Sequence, residues 1–131
     1  MTAEYKEDRA VRIINELKNK YPEASCYDID GRGLHFVSEI EPPKDHPEYD
    51  KAVEVIISSK PHKHLKMVQQ YTIISGNLRL HLDDKVVYLS VGNKCTVYPN
   101  TVHWAESEGD ECWVEIYSEP GWTAEDHIVL S

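Results

Sequence analysis

Pro61-His62-Lys63-His64 places two histidines one residue apart, and Gln69 follows after four intervening residues. Side chains on an extended strand alternate between its two faces, so these two imidazoles point to the same side. A third imidazole from His103, near the far end of the chain, and the amide oxygen of Gln69 would complete a neutral, partly open ligand set. Divalent transition metals accept such ligand sets. The sequence therefore predicts a metal site at His62, His64, Gln69 and His103.

Length, composition and charge restrict the class of protein. The 131 residues correspond to one domain, so residues 1–131 are expected to form a single unit with its own core. The composition, 40% hydrophobic and 28% charged, is that of a soluble globular protein, and no apolar run reaches the roughly 18 residues that a membrane span needs. The formal net charge of −9 argues against nucleic acid or an anionic membrane surface as a partner.

The cysteines give no sign of a disulfide framework or a zinc knuckle. Cys26, Cys95 and Cys112 are odd in number, widely spaced and without a C-x-x-C pair. The N-terminus is polar and acidic and does not look like an export signal. The expected location is therefore the reducing cytoplasm.

Only the beginning of the chain predicts a helix. Between residues 8 and 21, apolar side chains recur at three-to-four spacing among arginines and lysines, and Pro22 ends the pattern. Beyond it, short segments rich in Val, Ile, Thr and Tyr alternate with turn residues, which is typical of an all-β sandwich or barrel. Strands are predicted near residues 25–29, 33–40, 52–59, 62–75, 78–82, 85–89, 94–98, 101–105 and 111–117.

Two spaced motifs lie in this all-β region. In the first, His62-Lys63-His64 is followed by four residues, Gln69, six residues and Gly76. In the second, Gly92 is followed by five residues, Tyr98-Pro99-Asn100, two residues and His103. In order and spacing they resemble the two motifs of the cupin superfamily, which usually has Glu at the position of Gln69, Pro at Tyr98 and Gly at Asn100. The last difference is mild, because Asn tolerates the positive φ of such a turn.

The resemblance implies a small single-domain cupin. Its fold would be a double-stranded β-helix, a jelly-roll-like barrel over residues 53–130, preceded by one N-terminal α-helix at 8–21. It also implies a divalent metal (Zn, Mn, Fe or Ni) on the three histidines and Gln69, whose neutral amide replaces a charged ligand and weakens metal affinity. An alternative stays open, in which the histidines line a metal-free pocket that binds an organic ligand directly.

The end of the chain carries a shorter resemblance. The run from Glu115 to Val129, which closes with Glu125-Asp126-His127-Ile128-Val129, resembles the tail of the cupin domain in two-domain-type mannose-6-phosphate isomerases. There the closing run is E-D-D-I-V, so the chain departs from it at His127. This resemblance implies a metal-dependent isomerase or epimerase acting on a sugar or sugar phosphate, in which a side chain moves a proton between adjacent carbons.

Two residues are candidates for proton transfer. Tyr71 is expected to line the barrel interior by strand alternation from Gln69, although a core tyrosine with a satisfied hydroxyl is the ordinary alternative. Glu115 would serve as a base if its face of the strand turned inward, whereas a solvated face is the alternative.

Three further residues are candidates for substrate binding. Arg79 would clamp an anion if it faced the pocket, but the leucines that alternate with it favour a solvated outer position. Lys66 belongs to a basic cluster near the histidine pair, and Trp104 would stack on a sugar ring. The alternatives are a solvated lysine and a core tryptophan. The other histidines of interest have no spacing partner and are predicted to be structural or exposed: His35, His46 and His127.

Three function classes remain at this point. The first is the isomerase or epimerase, the second a dioxygenase in which a redox metal activates oxygen on a chelated substrate, and the third a non-catalytic module that binds a small ligand. In each case the partner is a small molecule, such as a sugar or an anion. The family resemblance also implies a homodimer formed through the sheets.

Overall fold

In the computed structural model, which describes residues 5–130, the chain begins with one amphipathic helix, α1, over Lys6–Lys20. Its ends lie within two residues of the predicted 8–21. Ile13 and Leu17 are completely buried and pack against Phe36, Val55 and Trp113 of the strands beneath. Burial of an aliphatic side chain of this size stabilises the fold by about 2 kcal/mol. The helix is therefore fixed to the outer face of a β-sheet rather than placed over an end of the barrel.

The rest of the described chain forms two antiparallel sheets. The six-stranded sheet has the order β1-β2-β3-β10-β5-β8 and the five-stranded sheet the order β11-β4-β9-β6-β7. An all-β fold with one N-terminal helix is thus confirmed. The strands are β1 Ser25–Asp28, β2 His35–Glu41, β3 Asp50–Ile56, β4 His62–His64, β5 Val68–Ser75, β6 Leu78–Leu82, β7 Lys85–Leu89, β8 Lys94–Val97, β9 His103–Ser107, β10 Cys112–Glu119 and β11 His127–Val129.

The prediction of one continuous strand over 62–75 is wrong. The chain leaves the five-stranded sheet after His64 and enters the six-stranded sheet at Val68. Between them, the backbone N–H groups of Leu65, Lys66 and Met67 donate to the buried carboxylate of Asp126 at 3.0, 2.8 and 3.1 Å. This carboxylate stabilises the corner formed by residues 65–67, where the chain passes from one sheet to the other. Strand β11, which begins directly after Asp126, was not predicted.

Two turn residues explain the spacing of the motifs. Gly76 has φ +86°, and a Cβ there would lie 2.7 Å from the carbonyl oxygen of Glu111, so only glycine fits. Asn100 adopts φ 66°, as expected for an asparagine at a position where a glycine is usual. Both turns direct the following strands back along the barrel.

The interior is divided between an apolar core and a cavity. One end is filled by a cluster of buried side chains that includes Ile73, Leu78, Leu80, Cys112 and Val114. The first strands extend the six-stranded sheet beyond the motif region, since β1 pairs with β2 and β2 with β3. Residues before 53 therefore supply part of the wall around the interior.

No helix in the described part of the chain is long and apolar enough to cross a membrane.

Candidate metal centre

Three histidines converge at one end of the interior. His62 and His64 lie on β4, and His103 begins β9, where it pairs directly with His62. One ring nitrogen from each of the three lies within 4.8 Å of the others. The two strands thus bring together the imidazoles that the sequence predicted as ligands.

Hydrogen bonds to backbone carbonyls determine which ring nitrogen is available. His62 Nδ1–H donates to the carbonyl of Lys60 at 2.9 Å, and His103 Nδ1–H donates to the carbonyl of Thr101 at 3.0 Å. A carbonyl accepts only, so the proton is on Nδ1 and the lone pair on Nε2. Metal-binding histidines are oriented in the same way, by a second nitrogen that donates to a carbonyl.

His64 is the most informative member of the cluster. Both of its ring nitrogens are buried, and within residues 5–130 neither has a hydrogen-bond partner of normal geometry, although the backbone carbonyl of Asp126 lies beside the ring. A buried polar atom without a partner costs about 1–3 kcal/mol. A ligand on one of these nitrogens removes that cost, so the ring fits a metal.

Gln69 has a similar mismatch. Its Oε1 lies 3.1 Å from His103 Nε2, while its amide nitrogen donates to Ser118 Oγ at 3.4 Å. With the proton of His103 on Nδ1, the two facing atoms both carry lone pairs. Their separation suits two neighbouring ligands of one ion with bonds of about 2.1 Å. The donor set therefore fits a divalent transition metal.

The three imidazoles are neutral at physiological pH. Burial, together with the neighbouring His103, lowers the pKa of His62 to about 3. Burial likewise lowers the pKa of His64 to about 4, with a contribution from His62, and burial lowers that of His103 to about 4. A neutral imidazole has a free lone pair, so protons do not compete with a metal above about pH 5.

A fourth histidine stands beside this cluster. The ring of His127 stacks on that of His62 with centroids 4.9 Å apart, and Trp122 Nε1–H donates to His127 Nδ1 at 3.1 Å. Strand β11 places it there by pairing His127 with His64. Its prediction as structural or exposed missed this position. The signal that pointed to it was the departure from E-D-D-I-V at this residue.

The cluster opens into a cavity of about 260 Å³ between the two sheets. One end of the cavity, which we call the metal end because the candidate ligands lie there, is lined by His62, His64, Gln69 and Tyr71. Its walls also carry residues from the N-terminal strands and the loop after them, which the sequence did not single out. They include the charged or polar side chains of Tyr27, Arg32, His35, Glu39, Glu41, Asp50, Lys51 and Glu54. Most of the residues that line the cavity therefore lie outside the two motifs.

The N-terminal part of the cavity contains pairs of polar groups. His35 Nε2–H donates to Glu54 Oε1 at 2.5 Å, and the Tyr27 hydroxyl donates to Glu39 Oε1 at 3.1 Å. Burial raises the pKa of Tyr27, and the carboxylate of Glu39 raises it further, so the phenol stays protonated. His35 was also expected to be structural or exposed, and instead it lines the cavity.

Of the candidates for proton transfer and substrate binding, Tyr71 alone lines the cavity. It is 4% exposed, its ring lies 6.4 Å from that of His103, and burial raises its pKa, so its hydroxyl remains protonated. Alternation from Gln69 thus gave its correct orientation.

The other four candidates lie elsewhere. Arg79 pairs with Glu106 at 3.4 Å on the outer face of the five-stranded sheet, and Trp104 stacks on His81 on the same face. Lys66 is exposed at the corner after β4, and Glu115 is on the face of β10 opposite the buried Val114 and Ile116. None of the four is among the cavity-lining residues.

No family model matches the sequence, and no curated protein matches it closely enough to show a relationship. Solved structures nevertheless share its fold. Pac13 of Streptomyces, described as a nucleoside dehydratase, is 12% identical with a TM-score of 0.72 over 84% of this chain and 87% of its own, and a variant of it was solved with uridine. KdgF of a Halomonas species is 16% identical with a TM-score of 0.67, covering 79% of this chain and 92% of its own. An RmlC-like cupin of Shewanella frigidimarina is 16% identical with a TM-score of 0.65, covering 76% and 86%.

Proposed function

We propose that this protein, which has the cupin fold, is a divalent-metal enzyme that moves a proton on a small hydroxylated substrate, as a sugar isomerase or epimerase does. The observation that supports it most directly is the cluster of three imidazoles with ring nitrogens within 4.8 Å of one another. In His64 those nitrogens are buried and lack a partner of normal geometry among residues 5–130. A site with this arrangement is suited to a metal and has a cavity beside it for a ligand.

His62, His64, His103 and Gln69 would hold the metal (Zn, Mn, Fe or Ni). When bound, such an ion supplies a Lewis acid for a carbonyl or hydroxyl oxygen, and four neutral ligands leave its charge uncompensated. Tyr71 lies beside these ligands with its hydroxyl protonated, so it can donate a hydrogen bond to a substrate oxygen. Met67 and Ile116 line the same end of the cavity and exclude water from it.

The lining favours a neutral, hydroxyl-bearing ligand over an anion. Four carboxylates line the cavity, against three basic side chains, which are Arg32, Lys51 and Lys60. One of these, Lys51, is paired with Glu41 at 3.5 Å. Carboxylates accept hydrogen bonds from hydroxyl groups and repel phosphates. A cavity of about 260 Å³ is just below the usual 300–1,000 Å³ of small-molecule sites. We therefore propose a small sugar rather than a sugar phosphate.

Elimination of water is a second candidate reaction. It is favoured by the similarity in fold to Pac13, which is described as a nucleoside dehydratase. Elimination and isomerisation can share a first step, in which a base removes a proton from the carbon next to a polarised carbonyl. The same site would therefore support either, and the substrate's leaving group would decide between them.

Metal analysis and hydrogen exchange together test the proposal. Protein purified without added metal should contain about one equivalent of a transition metal, or its melting temperature should rise with Zn, Mn, Fe or Ni. In D₂O the metal-loaded protein should exchange the proton on the carbon next to the carbonyl, which is C2 of an aldose or C1 of a ketose. Bound iron with oxygen uptake instead of exchange would favour the dioxygenase. Metal without exchange or oxygen uptake would favour the binding module, and no metal with no thermal shift overturns both enzyme hypotheses.

Two expectations from the sequence analysis stay predictions. A homodimer should appear as a mass of about twice 15.1 kDa by light scattering.

A cytoplasmic location should appear as full recovery of the native protein in the cytoplasmic fraction of its host.

A further inference from the structure

The cavity also contains an imidazole–carboxylate pair that belongs to neither motif. His35 lies on β2 and Glu54 on the neighbouring strand β3, and their side chains meet at 2.5 Å. Only 11% and 16% of these side chains are exposed, and both line the cavity. The pair is therefore buried, and a ligand in the cavity can reach it.

Glu54 differs from the other carboxylates of the cavity in its partner. Asp50 accepts a bond from a backbone N–H, and Glu39 and Glu41 accept bonds from tyrosine hydroxyls. These partners do not change protonation near neutral pH. Within residues 5–130, the one hydrogen bond to the Glu54 side chain comes from His35 and engages a single oxygen. Its second oxygen is therefore available to accept a proton.

The position of Glu54 connects it with the metal end. It projects from the same face of β3 as Ala52 and Asp50, which also line the cavity. Its charge is close enough to affect the pKa of both His62 and Tyr71. Glu54 therefore lies on the wall of the same cavity, within electrostatic range of the histidine cluster.

We propose that Glu54 is the general base of this site and that His35 is the residue that positions it, an inference that rests on the proposed function. The C–H bond next to the substrate carbonyl breaks, and its proton forms an O–H bond on the free oxygen of Glu54. The electron pair of the broken C–H bond forms a C=C double bond, while the π electron pair of the carbonyl moves onto its oxygen to give the enediolate. The hydroxyl proton of the enediolate moves from one of its two oxygens to the other, and Glu54 returns its proton to the former carbonyl carbon, which completes the isomerisation and regenerates the carboxylate. The N–H of His35 holds the other oxygen throughout.

Epoxide labelling tests the base without knowledge of the substrate. Glycidol is a small hydroxylated epoxide that an accessible carboxylate opens, so that a C–O ester bond forms, a ring C–O bond breaks and the alkoxide takes a proton from water. Peptide mass spectrometry should find the label on Glu54, and Glu54→Gln should abolish it. The matched control is Glu106→Gln, since Glu106 also pairs with a histidine, His81, but outside the cavity. Absence of label at Glu54, or label mainly on Asp50, Glu39, Glu41 or His35, overturns the proposal.

Hydrogen exchange gives the second readout. With dihydroxyacetone in D₂O, Glu54→Gln should reduce the kcat of exchange about 10²- to 10⁴-fold, the usual contribution of a general base. Its metal content and KM should not change. His35→Ala should reduce kcat less, and His35→Gln should restore part of it, because an amide N–H can still hold Glu54. Exchange by Glu54→Gln at the wild-type rate overturns the proposal. A wild-type protein that binds no metal or exchanges nothing contradicts the proposed function instead, and the labelling still decides the reactivity of Glu54.

Discussion

Histidines inside and outside the barrel have different surroundings in this protein. Inside, His64 is 3% exposed, and neither ring nitrogen has a hydrogen-bond partner of normal geometry within residues 5–130. Outside, the ring of His81 stacks on Trp104 with centroids 3.6 Å apart, and its Nε2 is bonded to Glu106 at 3.0 Å. Both residues lie on strands of the five-stranded sheet.

The difference shows that the partners of an imidazole decide its chemistry. His81 has a carboxylate and an aromatic ring as neighbours and is stable without a ligand. His64 has lost its water and gained no equivalent bond, which leaves it ready to bind a metal. Strand alternation alone does not separate the two; the spacing of His64 to His62 and Gln69 does.

Removal of one inner imidazole should have the largest effect. His64→Ala is expected to lower metal affinity by at least about 100-fold, beyond what loss of a residue that only supports a ligand costs. Measurement is by metal content after dialysis. His81→Ala is the control and should retain metal like the wild type. Equal loss in the two variants would remove the distinction between the inner and outer histidines.

Loss of the corner carboxylate should have the next largest effect. Asp126→Asn replaces an acceptor of three backbone N–H bonds by a group that is half donor, so the corner after His64 should loosen. Metal affinity should fall about 10- to 100-fold, as for other residues that support ligands. Amide hydrogen exchange at residues 65–67 should also accelerate.

The matched control for that variant is Asp28→Asn. Asp28 accepts a bond from the backbone N–H of Gly33 at 2.8 Å and does not line the cavity. Its replacement should leave metal affinity unchanged. If Asp126→Asn binds metal as the wild type does, the corner is not needed to position His64 and Gln69.

A negative charge introduced at the inner site should raise its metal affinity, which is the opposite change. Gln69→Glu places a carboxylate beside the three imidazoles, and attraction to a divalent ion should tighten binding by at least about tenfold. Isothermal titration with Zn²⁺ or Mn²⁺ measures the change. An unchanged affinity would mean that residue 69 is not a ligand.

The smallest effect is expected outside the barrel. Glu106→Gln breaks half-exposed pairs with His81 and Arg79, and exposed ion pairs contribute about 0–1 kcal/mol. The free energy of unfolding in urea should therefore change by less than about 1 kcal/mol, with metal affinity intact. A loss of metal here would place this outer cluster in communication with the inner one.

Much of the site could be predicted because its ligands follow local rules. Strand alternation correctly predicted that His62 and His64 share one face and that Tyr71 lies on the same side as Gln69. The spacing of the motifs predicted that His103 joins them. The ends of nearly all strands were correct within three residues. The break between His64 and Val68 was missed, because the group that stabilises it, Asp126, is 59 to 61 residues away in sequence.

The cavity wall could not be predicted from the same patterns. His35 and Glu54 look like ordinary residues of two alternating strands, and each face of such a strand can be the inner one. The packing of α1 on Phe36 and Val55 decides it, since the face covered by the helix leaves the opposite face for the interior. Arg79 and Trp104 were ambiguous for the same reason, and their sheet turns them outwards.

Periodicity and motif spacing are properties of neighbouring residues, and they were enough to predict the β-rich fold with its N-terminal helix and the four candidate ligands. Three contacts became visible only in the folded protein: His127 stands beside those ligands, Asp126 holds the turn between His64 and Val68, and His35 meets Glu54 in the cavity. These contacts join strands that are distant in the chain. Their existence depends on how two sheets and a helix bury their apolar faces together, and no local pattern records that outcome.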